Sequence, residues 1–166
     1  MTNDDREIDW LSPDELRVFR ALNRAWVAAS ARLDADMEDE AGLPRSYFDI
    51  LWRLRRAPGR ALRMTRLAEL THSKASRITH AVGRLEAAGL VRREVPEGDR
   101  RGWQAVLTDE GLARAEQAAP VYARSVRDNI LAPLNTQERE QMTAIGDKLQ
   151  AHLDSEAQPG SDGRDE

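Results

Sequence analysis

Two short amphipathic segments separated by a brief polar interruption constrain the fold of this 166-residue chain most strongly. The first, Met64–Leu70, fits a two-turn helix, and Thr71–Ser73 then breaks the pattern. Beyond Ser73, which is a good N-cap, apolar residues recur at steps of three and four as far as Glu86. These residues are Ala75, Ile78, Val82 and Leu85. Two short helices joined by a three-residue turn predict a helix-turn-helix, whose second helix, from Ser73 to Glu86, is the recognition helix.

An alternating pattern follows the recognition helix. Leu90–Val95 and Trp103–Leu107 each read as a β-strand, and the intervening Pro96–Gly102 is rich in turn residues. The sequence therefore predicts a β-hairpin, or wing, with Arg100 and Arg101 at its tip. A wing that follows a recognition helix brings such arginines beside the minor groove of duplex DNA.

The charge of the chain is distributed unevenly. The overall balance is −4 at pH 7, which by itself argues against a nucleic-acid partner. Between Arg53 and Arg101, however, 13 Lys and Arg stand against 5 Asp and Glu, a local balance of +8 that leaves −12 for the rest of the chain. Because the local field steers a protein onto DNA, the segment from about Arg60 to Thr108 is the predicted DNA-binding module.

The polar face of the recognition helix carries candidate DNA contacts. If the apolar stripe is buried, the opposite face can donate to phosphates or to base edges in the major groove. Together with the wing tip, the candidate DNA-binding residues are Ser73, Lys74, Ser76, Arg77, Thr79, His80, Arg84, Asp99, Arg100 and Arg101. Asp99 is interpreted as a clamp that orients a neighbouring arginine. An ordinary surface helix is the alternative, but it does not explain why Glu86 is the single acid between Ser73 and Leu90.

Long helices are predicted on both sides of this module. Ser12 with Glu15 forms one helix start, and Asn135 with Glu138 forms another. The expected fold class is mainly α with a small β-hairpin (α+β), a winged helix-turn-helix between long terminal helices. The predicted division is an N-terminal dimerisation helix at 12–38, a winged helix-turn-helix DNA-binding domain at 44–108, C-terminal dimerisation helices at 109–153 and a disordered tail at 154–166. The flanking helices present apolar stripes that so small a core cannot cover, which favours a dimer.

The composition argues against several other classes of function. The chain has no cysteine, which excludes disulfides, thiolate metal sites and cysteine-based redox sensing. Its three histidines show no metal-ligand spacing, and no base–acid pair stands beside a candidate nucleophile. We therefore expect no enzyme, cofactor or metal site. No apolar run approaches the ~20 residues of a membrane span, and the N-terminus does not resemble a signal peptide, so a cytoplasmic protein is expected.

Six short motifs follow one another in the central segment. They are Leu67–Glu69, Ser76–Thr79, Arg84–Glu86, Gly89–Arg93, Asp99–Arg101 and Leu107–Gly111. In this order and spacing they resemble the multiple antibiotic resistance regulator (MarR) family, whose Asp-x-Arg wing motif falls on Asp99 and Arg101. The resemblance implies a homodimer with recognition helices in successive major grooves and wing arginines in the minor groove. It also implies repression at a pseudo-palindromic operator, with half-sites about one helical turn, ~10 bp, apart.

The resemblance further implies that a small aromatic or phenolic effector binds between the dimerisation and DNA-binding parts and releases the DNA. Trp26, Tyr47, Phe48 and Trp52 are the candidate ligand-binding residues, since they combine apolar bodies with polar tips. The alternative is that they are core or dimer contacts, as aromatic residues at helical spacing usually are.

A second function remains to be weighed for the whole chain, namely a winged-helix protein-interaction module without DNA binding. Depletion of basic residues from the recognition helix and the wing would indicate such a module. Basic residues are instead concentrated there, at Lys74, Arg77, Arg84, Arg100 and Arg101. The sequence therefore favours a DNA-binding protein.

Overall fold

The computed structural model describes residues 9–95 and 102–156. Its elements are α1 (Pro13–Ala41), α2 (Arg45–Arg56), β1 (Ala61–Arg63), α3 (Met64–Leu70), α4 (Ala75–Ala87), β2 (Val91–Glu94), β3 (Gln104–Leu107), α5 (Asp109–Val126) and α6 (Thr136–Glu156), with a 3-10 turn at Pro58–Arg60 and a π-helical turn at Arg127–Leu131. None of the helices in these two ranges combines the length and the apolar character that crossing a bilayer requires. The chain divides into two compact units, Met1–Ser125 and Val126–Glu166. The predicted fold class, mainly α with a small β wing, is confirmed.

Helix α1 begins with the predicted reciprocal cap. Ser12 Oγ accepts from Glu15 N at 3.3 Å, and Glu15 Oε2 accepts from Ser12 N at 2.8 Å. These hydrogen bonds hold the pKa of Glu15 below its usual value. The helix runs on to Ala41 rather than ending at 38, and Gly42 closes it in the left-handed conformation at φ 56°. Arg114 donates to the carbonyl oxygens of Ala41 and Gly42 and so ties α5 to this end of α1.

The sheet contains one strand more than the sequence predicted. The strands are antiparallel in the order β1-β3-β2, so that Leu62 lies opposite Ala105 and Arg92 lies opposite Val106. The two hairpin strands are present, with bounds within one residue of those predicted. The prediction of a hairpin alone was incomplete because β1, at three residues, is too short to show an alternating pattern. Its strand character comes from pairing with β3.

An apolar core joins α2, the two helices of the helix-turn-helix and the end of α1. Its largest fully buried side chains are Met37, Ile50, Leu51, Leu54, Leu67, Val82, Leu85 and Val91. A buried side chain of this kind stabilises the fold by roughly 1.5–3 kcal/mol relative to an exposed one. The core therefore fixes the recognition helix against α2.

The buried face of α4 differs from the predicted stripe at one position. Ile78, Val82 and Leu85 are buried as predicted, but Ala75 is exposed and Ala81 is buried in its place. Ala75 is the first residue of α4, so it precedes the part of the helix that reaches the core. The opposite face of α4 stays open to solvent.

The start of α5 is joined closely to the end of α4. Thr108 Oγ1 donates to Gly89 O at 2.8 Å and accepts from Gly111 N at 3.0 Å, and Thr108 N donates to Leu90 O at 3.2 Å. Gly111 lies so near that a Cβ there would stand 2.0 Å from Leu90 O and 2.8 Å from Leu107 Cδ1. Only a residue without a side chain fits this position.

We expect Gly111→Ala to destabilise the protein by at least about 1–3 kcal/mol, the usual range for overpacking, because a main-chain carbonyl obstructs the added methyl group. Urea unfolding followed by far-UV circular dichroism measures the change. Gly83→Ala is the matched control, since its Cβ would meet nothing within 4 Å. Replacing that helical glycine should raise the free energy of unfolding by roughly 0.5–1 kcal/mol. Equal effects of the two substitutions would contradict the contact at Gly111.

The second unit is built around α6. Asn135 Oδ1 accepts from Glu138 N at 3.0 Å and Glu138 Oε2 accepts from Asn135 N at 2.8 Å, as the capping pattern predicted. The helix continues to Glu156, into the stretch predicted as a tail from 154, and Gln150 Nε2 supports its last turn by donating to Asp154 Oδ1 at 2.8 Å. The rest of the predicted tail, 157–166, lies outside the described residues. One face of α6 is apolar and exposed, at Met142, Ile145, Leu149 and Leu153.

Candidate nucleic-acid interface

Hydrogen bonds fix the turn between α3 and α4. Thr71 Oγ1 donates to Leu67 O at 2.7 Å, and Ser73 N donates to Ala68 O at 2.9 Å. His72, between them, adopts a left-handed conformation at φ 48°, which is uncommon for a residue other than glycine. These contacts end α3 and redirect the chain into α4, which gives the helix-turn-helix predicted from the sequence.

Ser73 does not cap the recognition helix, contrary to the prediction. The N-cap of α4 is Lys74, which makes no side-chain capping hydrogen bond. Ser73 is half-buried, and its hydroxyl donates to Thr71 O at 3.2 Å. The reason is local: the turn directs Ser73 back towards the end of α3, so that regular helix starts only at Ala75.

The other predicted recognition-helix residues lie on the open face of α4 and at its N-cap. The exposed side chains are those of Lys74, Ser76, Arg77, Thr79, His80 and Arg84. Thr79 Oγ1 donates to Ala75 O at 2.9 Å, so its proton is engaged within the helix. The rest of this set is free to meet an external partner from one side of a single helix.

Cations on this face differ from the neighbouring arginines in their pairing. Elsewhere in the basic segment, ion pairs join Arg53 to Asp49, Arg55 to Glu116, Arg60 to Asp109, Arg66 to Glu69, Arg92 to Glu94 and Arg93 to Glu86. Within the part of the chain that the structure describes, Lys74, Arg77 and Arg84 have no such acidic partner. The positive charge that the fold leaves uncompensated is therefore concentrated on α4.

Glu86, the single acid of this helix, holds the wing. Its carboxylate accepts from Arg93 N at 3.1 Å and from Arg93 Nε at 2.7 Å. These hydrogen bonds hold the pKa of Glu86 below its usual value. Because Arg93 lies in β2, the carboxylate fixes the first wing strand to the end of the recognition helix.

We expect Glu86→Gln to weaken this connection in a pH-dependent way. A lowered pKa means that the wild-type contribution is present at neutral pH and is lost as the pH falls from about 4.3 through the lowered pKa. The variant lacks that contribution, so its free energy of unfolding should be lower at pH 7 and should decline less steeply towards acid.

Urea titrations at a series of pH values measure both effects. Glu140→Gln provides the control, because Glu140 is exposed and forms no ion pair within residues 9–95 and 102–156. If the two variants have the same acid limb, Glu86 does not act as this clamp.

The wing tip lies outside the described residues. Asp99, Arg100 and Arg101 belong to the gap between 95 and 102, so their predicted role stays a prediction. The structure reaches the base of the hairpin, where Val95 and Trp103 are exposed.

An open crevice of about 570 Å³ lies beside the recognition helix. The four predicted ligand-binding residues, Trp26, Tyr47, Phe48 and Trp52, all line it. Phe48 is also a buried core residue, and its ring packs against Trp52 at 5.5 Å and against Tyr122 at 5.0 Å between centroids. The sequence gave no sign of Tyr122, because α5 meets α2 only in the folded chain.

The crevice is lined by cations as well as rings. Arg45 and Arg53 are held by Asp34 and Asp49 at 2.6 and 3.1 Å, and the first of these contacts raises the pKa of Arg45. Arg77 lines the same crevice but has no acidic partner among the described residues. No group of three His, Asp or Glu side chains in the described ranges is placed to hold a metal ion. The crevice therefore suits an organic ligand better than a metal.

Known proteins share both the sequence and the fold. Residues 41–102 match the model of the MarR family. Over 145 residues the chain is 36% identical to the HTH-type transcriptional regulator PecS of Dickeya dadantii (strain 3937), with 86% of each chain covered. The chain belongs to the MarR family.

Solved structures of MarR-family regulators from Streptomyces coelicolor have the same architecture. Sco3205, whose structure contains DNA, is 36% identical with a TM-score of 0.81, and the match covers 94% of this chain and 96% of that one. AbsC is 32% identical with a TM-score of 0.81, over 88% of this chain and 98% of that one. This MarR-family chain is a DNA-binding transcriptional regulator and not an enzyme, as the sequence predicted.

We expect Arg77→Ala to reduce the free energy of operator binding by about 1–3 kcal/mol, because an arginine on this face can pair with a guanine edge. Fluorescence anisotropy with operator and scrambled duplexes measures the loss and the discrimination. Arg124→Ala is the control, since that exposed arginine pairs with Glu40 away from α4. The same loss on both duplexes would assign Arg77 to phosphate rather than to a base.

Proposed function

We propose that this regulator is a cytoplasmic homodimer that represses transcription from a pseudo-palindromic operator and is released by a small aromatic or phenolic effector. The observation that carries the DNA contact is the exposed face of α4, where Lys74, Arg77 and Arg84 have no acidic partner among the described residues. Duplex DNA is a polyanion whose major groove accepts one helix. The placement of these cations supports α4 as the element that enters it.

Each proposed contact has its place in this arrangement. Ser76, Arg77 and His80 share the open face of α4 and suit the base edges, whereas Lys74 and Arg84 lie nearer its ends and suit the phosphates. Ser73 and Thr79 use their hydroxyl protons within the protein, so they act as acceptors or by shape. The wing motif Asp99–Arg101 is proposed for the minor groove on the strength of the family pattern.

The homodimer is supported by apolar surface that the single chain leaves uncovered. Exposed large apolar side chains are concentrated on the first half of α1 and along α6. Surfaces of this kind mark protein–protein interfaces. We retain the division into dimerisation helices at 12–38 and 109–153 around a DNA-binding domain at 44–108. Two-fold symmetry then requires an operator with two related half-sites.

The effector site is the crevice beside α4. Its aromatic lining suits a flat apolar ring, and Arg77 offers an unpaired cation to an acidic phenol or carboxylate. Because Arg77 and His80 also stand on the DNA-facing side of α4, an occupied crevice changes the surface that DNA meets. This supports release of DNA by the effector.

A protein-interaction module without DNA binding is the alternative. It would need a different reason for three unpaired cations on one helix face, and the described residues supply none. DNA binding is the simpler account.

Salt dependence tests the proposal. A genomic fragment selected by the protein should bind tightly, with an affinity that falls by about 10³–10⁵ between about 50 and 200 mM salt if six to ten phosphates are contacted. Anisotropy titrations with the selected and a scrambled duplex measure this. Replacing Lys74, Arg77 and Arg84 by Gln should flatten the salt dependence. Failure to select any fragment, or an affinity that ignores salt, would overturn the proposal.

A further inference from the structure

One face of α1 changes character along its length. Phe19, Leu22, Trp26, Leu33 and Met37 follow one another at steps that keep them on a single helical stripe. Leu33 and Met37 are buried at 3% and 0% exposure, whereas Phe19, Leu22 and Trp26 are exposed at 57%, 59% and 59%. The chain therefore covers the second half of the stripe and leaves the first half open.

The crevice lies where this change occurs. Trp26 is the α1 residue that lines it, while the other lining residues come from α2, the helix-turn-helix and Tyr122 of α5. Any body that covers Phe19 and Leu22 would continue over Trp26, one turn further along. It would then also close the crevice on its open side.

We propose that a second copy of this chain covers the exposed half of the α1 stripe and completes each effector crevice, so that the site is whole only in the dimer. The proposal rests on the homodimer proposed above and adds that dimerisation and effector binding are coupled. Ligand pockets usually bury most of the surface of a small ligand. A crevice with one wall exposed at Trp26 does not meet that condition in a single chain.

The second copy brings a surface of matching form. Besides α1, the longest exposed apolar stripe among the described residues lies on α6, with the same steps of three and four. Two such stripes pack as helices do in bundles. The charges also agree: α6 carries five acids and two bases, whereas Arg17, Arg20 and Arg24 flank the exposed stripe of α1.

Trp26 itself reports whether this wall is covered. The triple variant Trp10→Phe, Trp52→Phe and Trp103→Phe leaves Trp26 as the single tryptophan of the full-length chain. In the concentrated dimer we expect blue-shifted emission and weak quenching by acrylamide. On dilution to the monomer, the emission should move to longer wavelength and the quenching constant should rise severalfold. Analytical ultracentrifugation of the same samples gives the oligomeric state, and circular dichroism verifies folding.

A pair of α6 variants separates dimerisation from any direct effect on the crevice. Leu149→Glu, in the single-tryptophan background, places a charge in the apolar stripe of α6 and should give a folded monomer with exposed Trp26. Ala151→Glu places the same residue on the opposite face of that helix and should keep the parent's quenching and dimer. Neither position lines the crevice.

Three results would overturn the inference. Trp26 could be as accessible in the dimer as in the Leu149→Glu monomer, or it could stay protected in a monomer, which would mean that the chain covers its own stripe. A dimer that binds operator while Trp26 remains open would overturn this inference alone and leave the proposed function standing. A chain that stays monomeric at every concentration would overturn the homodimer as well.

Discussion

The carbonyl groups of Gly89 and Leu90 hold the DNA-binding part together. Thr108 bonds to both of them, and Gly111 packs directly on the second, so that the end of α4 and the start of α5 meet at one point. Both wing strands leave from this point, since β2 begins at Val91 and β3 ends at Leu107. The direction of the wing relative to the recognition helix is therefore set by main-chain contacts, and the Glu86–Arg93 pair adds a second connection.

An acidic chain can bind DNA because its fold sorts its charges. Carboxylates outside α4 neutralise many of the central arginines, as Asp109 does for Arg60 and Glu116 does for Arg55. Exposed ion pairs of this kind add little to stability, but they decide where free positive charge remains. That charge remains on the recognition helix, next to a crevice that shares Arg77 with it. Reading DNA and sensing a ligand are in this way placed on the same helix.

Sequence periodicity predicted the long elements well and the short ones poorly. The caps at Ser12 and Asn135, the helix-turn-helix and the hairpin strands were found because each depends on residues close in the chain. Strand β1, the turn-directed hydroxyl of Ser73 and the exposure of Ala75 were missed. Each of these depends on a neighbour brought in from elsewhere, such as the pairing of β1 with β3.

The sequence by itself determined the family, the class of function and the set of candidate DNA-binding residues, because local spacing and charge carry that information. Only the tertiary structure decided which arginines keep their charge free, since ion pairs join residues distant in the chain. It also decided that Trp26, Tyr47, Phe48 and Trp52 line one crevice with Tyr122 as an added wall. Side chains from three helices meet there only after the core has packed, and no local pattern encodes such a meeting.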